Sequence, residues 1–336
     1  MKYPTGYIAV IGAGSWGTTL ASLLAEKGYG VVLWAYEEGL AEQIEANKEN
    51  PVYLPGEHLC EDLHATGTLC EAVAHARYII NAVPTQHIRT VFSGIAFSVK
   101  DDAIVVSASK GIEMGTLKTP SMVLREVLGR PVSVLSGPSF AREVIAKLPT
   151  AVTLAVEEQK TALLLQELFN TDYFRVYTHD DITGVEIGGA LKNVIAIASG
   201  IGDGLGLGHD ARAALITRGI SEIARLGISM NAKNVTFSGL SGLGDLVLTC
   251  TGPLSRNYTV GYKLGQGIRL PEIVSQTPSV AEGVTTTQSA FELSRKQGID
   301  MPIIEQVYLT LYKDKSPIEA VKALMNRSLK SEFDGY

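Results

Sequence analysis

The sequence predicts an α/β domain with a mostly parallel sheet, followed by an all-α domain. Three observations carry that prediction. Short apolar runs alternate with helical patterns as far as about residue 180, the order that builds a parallel sheet covered by helices. The strand signal then stops, and helical spacing dominates from about residue 184. The chain has 336 residues, more than a single hydrophobic core commonly organises. The two domains are placed at residues 1–183 and 184–336.

The first strand is 7–11, YIAVI, and GAGSWG follows at once. Gly12, Gly14 and Gly17 have the G-x-G-x-x-G spacing. A helix is expected over 18–27, ended by Gly28, and a second strand over 31–35. Strand, glycine turn, helix and strand within about 30 residues form the context in which this motif binds a dinucleotide, the Rossmann arrangement. The first glycine makes the tight turn. The second lets the backbone reach a pyrophosphate, and the third lets the helix pack on its strand. The helix N-terminus then faces the phosphates. An ordinary glycine turn is the alternative, and the position directly after the first strand argues against it.

A carboxylate about 20 residues past the glycines binds the ribose hydroxyls of NAD, whereas an arginine there suits NADP. Here the second strand runs into Ala35-Tyr36-Glu37-Glu38, with no basic residue and with the acids one or two positions late. The pattern leans to NAD and leaves dual use open. Glu37 and Glu38 also suit the N-terminus of a helix over 37–48. After a proline-containing loop at 51–56, strand 78–83 ends at Pro84-Thr85, where open sheets bind ligands. Strand 103–108 runs into Ser109-Lys110-Gly111, which puts a lysine where it can meet an anion or simply face solvent. Strand 132–136 leads into Gly137-Pro138-Ser139-Phe140-Ala141, a turn before a helix at 140–147 whose N–H groups can bind an anion. Strands 149–156 and 173–177 flank a helix at 158–169.

The second domain opens with GVEIGGALKNVIAIASG, 184–200, whose apolar residues keep helical spacing except at Lys192 and Asn193. A lysine among small and apolar residues loses hydration unless its charge is used. Burial lowers its pKa, which suits proton transfer; a core helix with a snorkelling lysine is the plainer reading. Gly188, Gly189 and Ala190 would allow close approach by backbone or ligand. The glycines at every second position from Gly200 to Gly208 read as an irregular link between helices 185–201 and 210–227. Further helices are expected at 287–297, 302–312 and 316–325. Two stretches read as loops: 239–251, with Asp245 amid glycines, and Ser255-Arg256-Asn257. Arginine grips phosphate through two hydrogen bonds, and Ser and Asn add neutral donors; a surface ion pair is the alternative for Arg256.

Net charge is −6 with no basic block, so a nucleic-acid partner has no support. No run is read as reaching the roughly 20 apolar residues of a membrane span, and the N-terminus lacks signal-peptide features. Cys60, Cys70 and Cys250 form no C-x-x-C pair, which fits a reducing cytoplasm. The six histidines include no H-E-x-x-H, and no metal site is expected.

Taken in order, GAGSWGT, SKGIE, SGPSFA, GGALKNVIA, LITRG, GLGDLVLTCT and SRN resemble the NAD(P)-dependent glycerol-3-phosphate dehydrogenase family, bacterial type, over about residues 7–325. The resemblance implies reversible reduction of dihydroxyacetone phosphate to sn-glycerol 3-phosphate with NADH or NADPH, without a metal, to supply glycerophospholipid synthesis. It implies a Rossmann domain plus a helical domain like that of 6-phosphogluconate dehydrogenase. It makes Lys192 the proton acceptor and donor, and Lys110 a contact of cofactor and substrate; as a second catalytic cation, Lys110 would help to lower the Lys192 pKa and stabilise developing negative charge. Substrate contacts carry over to Gly137, Ser139, Asp245, Ser255, Arg256 and Asn257. Cofactor contacts carry over to Ser15, Trp16, Tyr36, Lys110, Ala141, Arg256, Val280 and Glu282, beside the turn Gly12, Gly14 and Gly17. Tyr36 departs from the histidine or arginine often found there, which leaves cofactor preference open. Family members are commonly homodimers. The competing readings are a two-domain dehydrogenase of β-hydroxy acids or 2-ketoacids, and a non-catalytic dinucleotide sensor.

Overall fold

The computed structural model describes residues 6–275, 281–329 and 331–332. The chain divides into two compact units, Met1–Lys110 with Thr119–Ile182, and Gly111–Lys118 with Thr183–Tyr336. The short segment Gly111–Lys118 thus belongs to the helical unit, where Ile112 is fully buried in the core.

The strands are β1 (Ile8–Ile11), β2 (Val31–Trp34), β3 (Glu49–Asn50), β4 (Leu54–His58), β5 (Leu63–Thr66), β6 (Tyr78–Asn81), β7 (Ile104–Ser107), β8 (Val132–Ser136), β9 (Thr150–Ala155) and β10 (Phe174–His179). Eight of them form one sheet in the order β10-β9-β8-β7-β6-β1-β2-β5. All pairings in it are parallel except β8 with β9. β3 and β4 make a separate antiparallel ribbon.

β1 shows why its sequence is apolar throughout. Ile8 and Val10 enter the core on one face, and Ala9 and Ile11 the core on the other. A strand buried on both faces has no polar alternation. Strand order reverses at β1, with β2 on one side and β6 on the other, and ligands bind at the carboxyl ends of such strands.

Several short elements escape the sequence reading: β5 and the helices Leu69–Val73, Ile88–Ser93 and Pro120–Leu128. β5 and the first two of these helices have only four to six residues, too few to repeat a period, whereas Pro120–Leu128 does bury Val123, Leu124 and Leu128 at helical spacing.

The second unit is built around the helix Ile182–Gly204. It continues through Gly200, Gly202 and Gly204, where an irregular link was expected. The reason is contact. A Cβ on Gly200 would lie 2.0 Å from the Tyr258 carbonyl oxygen, and one on Gly204 would lie 2.3 Å from that of Tyr262. The crossing helix Arg256–Gly265 answers in kind, because a Cβ on Gly261 would lie 2.0 Å from the Ile197 oxygen. Glycine is unfavourable within a helix, but here it lets two backbones touch. The continuation makes this helix 23 residues, long and apolar enough by composition to cross a membrane, against the expectation that no run would be. It is a core helix, with 94% of its apolar window buried.

The stretches 239–251 and 255–257 are also not loops. Leu240–Gly244 forms a π-type turn, Asp245–Cys250 an α-helix, and Ser255 is the N-cap of Arg256–Gly265. The Ser255 Oγ accepts from the Tyr258 N–H at 3.2 Å, the usual satisfaction of a first-turn donor.

Candidate functional site

In the first unit, the three glycines of the opening turn separate into three roles. Gly12 has φ +113°, and a Cβ there would lie 2.8 Å from the Ala82 carbonyl oxygen at the end of β6. Gly14 has only open space where a Cβ would project, so a ligand can approach its backbone. A Cβ on Gly17 would come within 2.0 Å of the Gly12 oxygen. The helix Ser15–Glu26 can therefore pack on its strand only with glycine there. No acidic residue stands in that helix's first turn, which suits an anion at its positive end. Ser15 and Trp16 open the helix, and the Trp16 ring lies 6.4 Å from that of Phe174. Tyr36 is 80% exposed beyond the end of β2. These residues fit a dinucleotide phosphate held by backbone N–H groups.

The turn is braced by a residue that sequence reading missed. Asn50 is fully buried and donates to the Ala13 oxygen at 2.8 Å and to Thr18 Oγ1 at 2.9 Å. Its Oδ1 accepts from the N–H groups of Val52 and Tyr53.

Further along the sheet, Lys110 follows β7 and donates to the Gly137 carbonyl at 3.1 Å. The Ser139 hydroxyl donates to the same oxygen, also at 3.1 Å. Gly137 has φ +136°, a conformation that favours glycine. Asn81 donates to Ser109 Oγ at 3.0 Å, and Ser109 donates to the Val83 oxygen at 2.6 Å. That chain fixes the backbone just before Lys110. Ala141 begins the short helix after the Gly137 turn.

In the second unit, Lys192 is 7% exposed on the opening helix. Its ammonium donates to Asp245 Oδ1 in a short ion pair, and to Thr249 Oγ1 at 2.8 Å. Asp245 is fully buried. Thr249 in turn donates to the Asp245 carbonyl at 2.6 Å. A buried charge needs both a partner and further hydrogen bonds, and this cluster has both. Gly188 permits it: a Cβ there would lie 2.6 Å from the Ser241 oxygen, in the turn that leads to Asp245.

Asn257 is buried, and its Oδ1 accepts from the Gly283 N–H at 2.9 Å, in the first turn of helix Glu282–Gln297. With that oxygen engaged, the amide nitrogen is the donor Asn257 can offer a ligand. A Cβ on Gly283 would lie 2.6 Å from Asn257 Oδ1 and 2.8 Å from the Asn193 oxygen. The second unit thus brings together the backbone beside Lys192, the triplet Ser255-Arg256-Asn257 and the helix that begins at Glu282. Arg256 is exposed at the head of its helix. Val280 lies outside the described residues.

A second network holds that triplet. Asp203 accepts from Arg212 Nη2 at 2.8 Å and, through its other oxygen, from the Tyr258 hydroxyl at 2.6 Å. One carboxylate ties three helices together, and its partner Tyr258 stands two residues from Arg256. Burial pushes the Tyr258 phenol up to about 12, and the Asp203 bond adds to this, so it stays a donor at physiological pH. Sequence reading missed Thr249, Asp203 and Tyr258. The (i, i+4) spacing of Asp245 and Thr249 is a usable signal once a helix is drawn there. Among the described residues, no group of three or more His, Cys, Asp or Glu side chains is placed to hold a metal.

Residues 7–162 match the family described as NAD-dependent glycerol-3-phosphate dehydrogenase N-terminus, and residues 181–322 the corresponding C-terminus. A glycerol-3-phosphate dehydrogenase (NAD(P)+) of Citrifermentans bemidjiense is 55% identical over 97% of this chain and 98% of its own. The chain belongs to the NAD-dependent glycerol-3-phosphate dehydrogenase family. It is accordingly an NAD(P)-dependent oxidoreductase. The solved glycerol-3-phosphate dehydrogenase of Coxiella burnetii is 40% identical, with a TM-score of 0.93 over 96% of this chain and 99% of that one. That of Saccharomyces cerevisiae is 30% identical, with a TM-score of 0.83 over 95% and 99%. Both family halves and these relatives argue against the sensor and the β-hydroxy acid readings.

Proposed function

We propose that the chain reversibly reduces dihydroxyacetone phosphate to sn-glycerol 3-phosphate, with Lys192 as general acid and base. The observation that carries this is the buried Lys192–Asp245–Thr249 cluster, whose helix meets Asn257 and Gly283 through the Asn193 backbone. When bound, the nicotinamide supplies or takes up the hydride at substrate C2. The Lys192 ammonium gives a proton to the ketone oxygen, and takes one back in the reverse direction. Asp245 and Thr249 aim that ammonium and keep it from wandering. Arg256, with the Asn257 amide and the Ser255 hydroxyl, holds the substrate phosphate through charge-assisted hydrogen bonds. Lys110, Gly137 and Ser139 are further substrate contacts in this reading. Gly12, Gly14, Ser15, Trp16, Gly17, Tyr36, Lys110, Ala141, Arg256, Val280 and Glu282 are assigned to the cofactor. The first unit is read as the dinucleotide-binding part and the second as the substrate and catalytic part.

The product is the phosphorylated glycerol of phospholipid backbones, and we place the enzyme in the cytoplasm at the head of that synthesis. The free thiols of Cys60, Cys70 and Cys250 suit a reducing compartment. A homodimer is the expected assembly, since twofold dimers are the commonest oligomers.

The test is loss of NADH or NADPH absorbance on adding dihydroxyacetone phosphate, with unphosphorylated dihydroxyacetone as control. Oxidation with the phosphate alone supports the reading. Equal oxidation with both ketones removes the phosphate role of Arg256 and Asn257.

A further inference from the structure

The names of relatives leave NAD and NADP as equals, but the end of β2 does not treat them alike. Glu37 lies three residues past β2 and is half-buried. The Tyr53 hydroxyl donates to its Oε1 at 2.5 Å. Tyr53 is itself anchored, because its N–H and that of Val52 are held by Asn50, whose amide donates to Ala13 within the glycine turn. A single buried amide therefore sets where the Tyr53 phenol stands relative to the phosphate-binding backbone, and the phenol sets where Glu37 stands.

We propose that Glu37 makes this enzyme selective for NAD over NADP, with Tyr53 and Asn50 as the residues that position it. A carboxylate only accepts hydrogen bonds and has about four lone-pair sites, so one bond from Tyr53 leaves room for ribose hydroxyls, which donate. The 2′-phosphate of NADP is itself an anionic acceptor, so it offers Glu37 nothing and is repelled by it. Glu38 adds a second negative charge, and no Lys or Arg occurs between Gly28 and Asn47. The flanking lysines are engaged elsewhere. Lys27 donates to the carbonyls of Glu167, Leu168 and Asn170, and Lys48 to that of Leu63, 3.7 Å from Glu45. The offset of the acid past the strand end, which weakens the sequence signal, is where Tyr53 acts: it holds a carboxylate that a loop would otherwise leave loose.

The inference rests on the dinucleotide reading of the first unit, and its test needs no substrate. Fluorescence titration of the full chain with NADH and with NADPH reads the two affinities directly. Wild type should bind NADH about tenfold or more tightly than NADPH, the scale of a charge-assisted hydrogen bond gained or lost. Glu37→Gln keeps the acceptor for Tyr53 and removes the charge; NADPH should tighten while NADH weakens. Tyr53→Phe keeps the charge and frees it to move; NADH should weaken several-fold, with NADPH unchanged. Equal affinities in wild type, or equal weakening of both cofactors in either variant, would overturn the proposal, since a purely structural role moves both together. Selective binding by protein that does not turn over dihydroxyacetone phosphate would break the proposed function and leave this inference standing.

Discussion

The glycine turn of the first unit and the lysine cluster of the second solve opposite problems. The turn is made from side chains that are absent: Gly12 and Gly17 leave no space for a Cβ, and Gly14 leaves open space for a ligand. The cluster is made from side chains that are present and charged, with a buried ammonium, a buried carboxylate and a hydroxyl closing on one another. One region fails when atoms are added and the other when they are removed.

Asp245→Ala is the strongest way to break the second region. It leaves the buried Lys192 ammonium without its counter-charge, which costs about 3–5 kcal/mol. Denaturant unfolding should show that loss, together with a fall in turnover of about a hundredfold or more. A variant as stable as wild type would mean that the cluster is looser than its geometry.

In the first region the informative experiment is a pair. Gly17→Ala drives a Cβ toward the Gly12 oxygen and should cost about 1–3 kcal/mol of overpacking strain, with loss of NADH binding. Gly14→Ala meets nothing in the protein, so its melting temperature should match wild type while its NADH affinity falls. If Gly14→Ala binds NADH normally, the cofactor backbone contact lies elsewhere.

A pH-dependent effect separates the lysine cluster from a buried carboxyl used for architecture. Glu222, also in the second unit, accepts from the Ile303 N–H at 2.8 Å and the Ile304 N–H at 3.3 Å. It thereby caps the helix that starts at Pro302. Burial pushes its carboxyl up to about 7, outweighing those two donors. A carboxyl with a raised folded pKa binds its proton more tightly when folded. Its contribution is therefore complete below about pH 4.5 and is lost as pH rises through about 7, amounting to about 3 kcal/mol. Stability measured across that window should decline in wild type and flatten in Glu222→Gln. An unchanged slope would assign the pH dependence to another group.

The two regions also differ in how far they could be read from sequence. The turn lies within six residues, and its spacing, its strand and its helix are all local. Lys192 was legible because it interrupts an apolar helix. Its partner stands 53 residues away, and Thr249 was hidden because 239–251, rich in glycine, reads as a loop. The glycines from Gly200 to Gly204 misled for a related reason. Local propensity argues against helix, and the contact with the Tyr258 backbone that requires them is not local. Asn50 and Tyr53 gave no sign at all, since their work is done on residues well before them in the chain. Sequence pattern reports period and spacing, whereas the pairing of buried polar groups is a property of the folded chain.

The central claim is that Lys192 moves the proton, and it is tested most directly by comparing Lys192→Ala with wild type in turnover and in NADH binding on the same folded protein. Turnover of dihydroxyacetone phosphate should fall by about a thousandfold, within the range of a lost general acid, while the NADH dissociation constant stays within twofold. Turnover within tenfold of wild type, from a variant that melts as a folded protein, would contradict the account and return the proton transfer to another group.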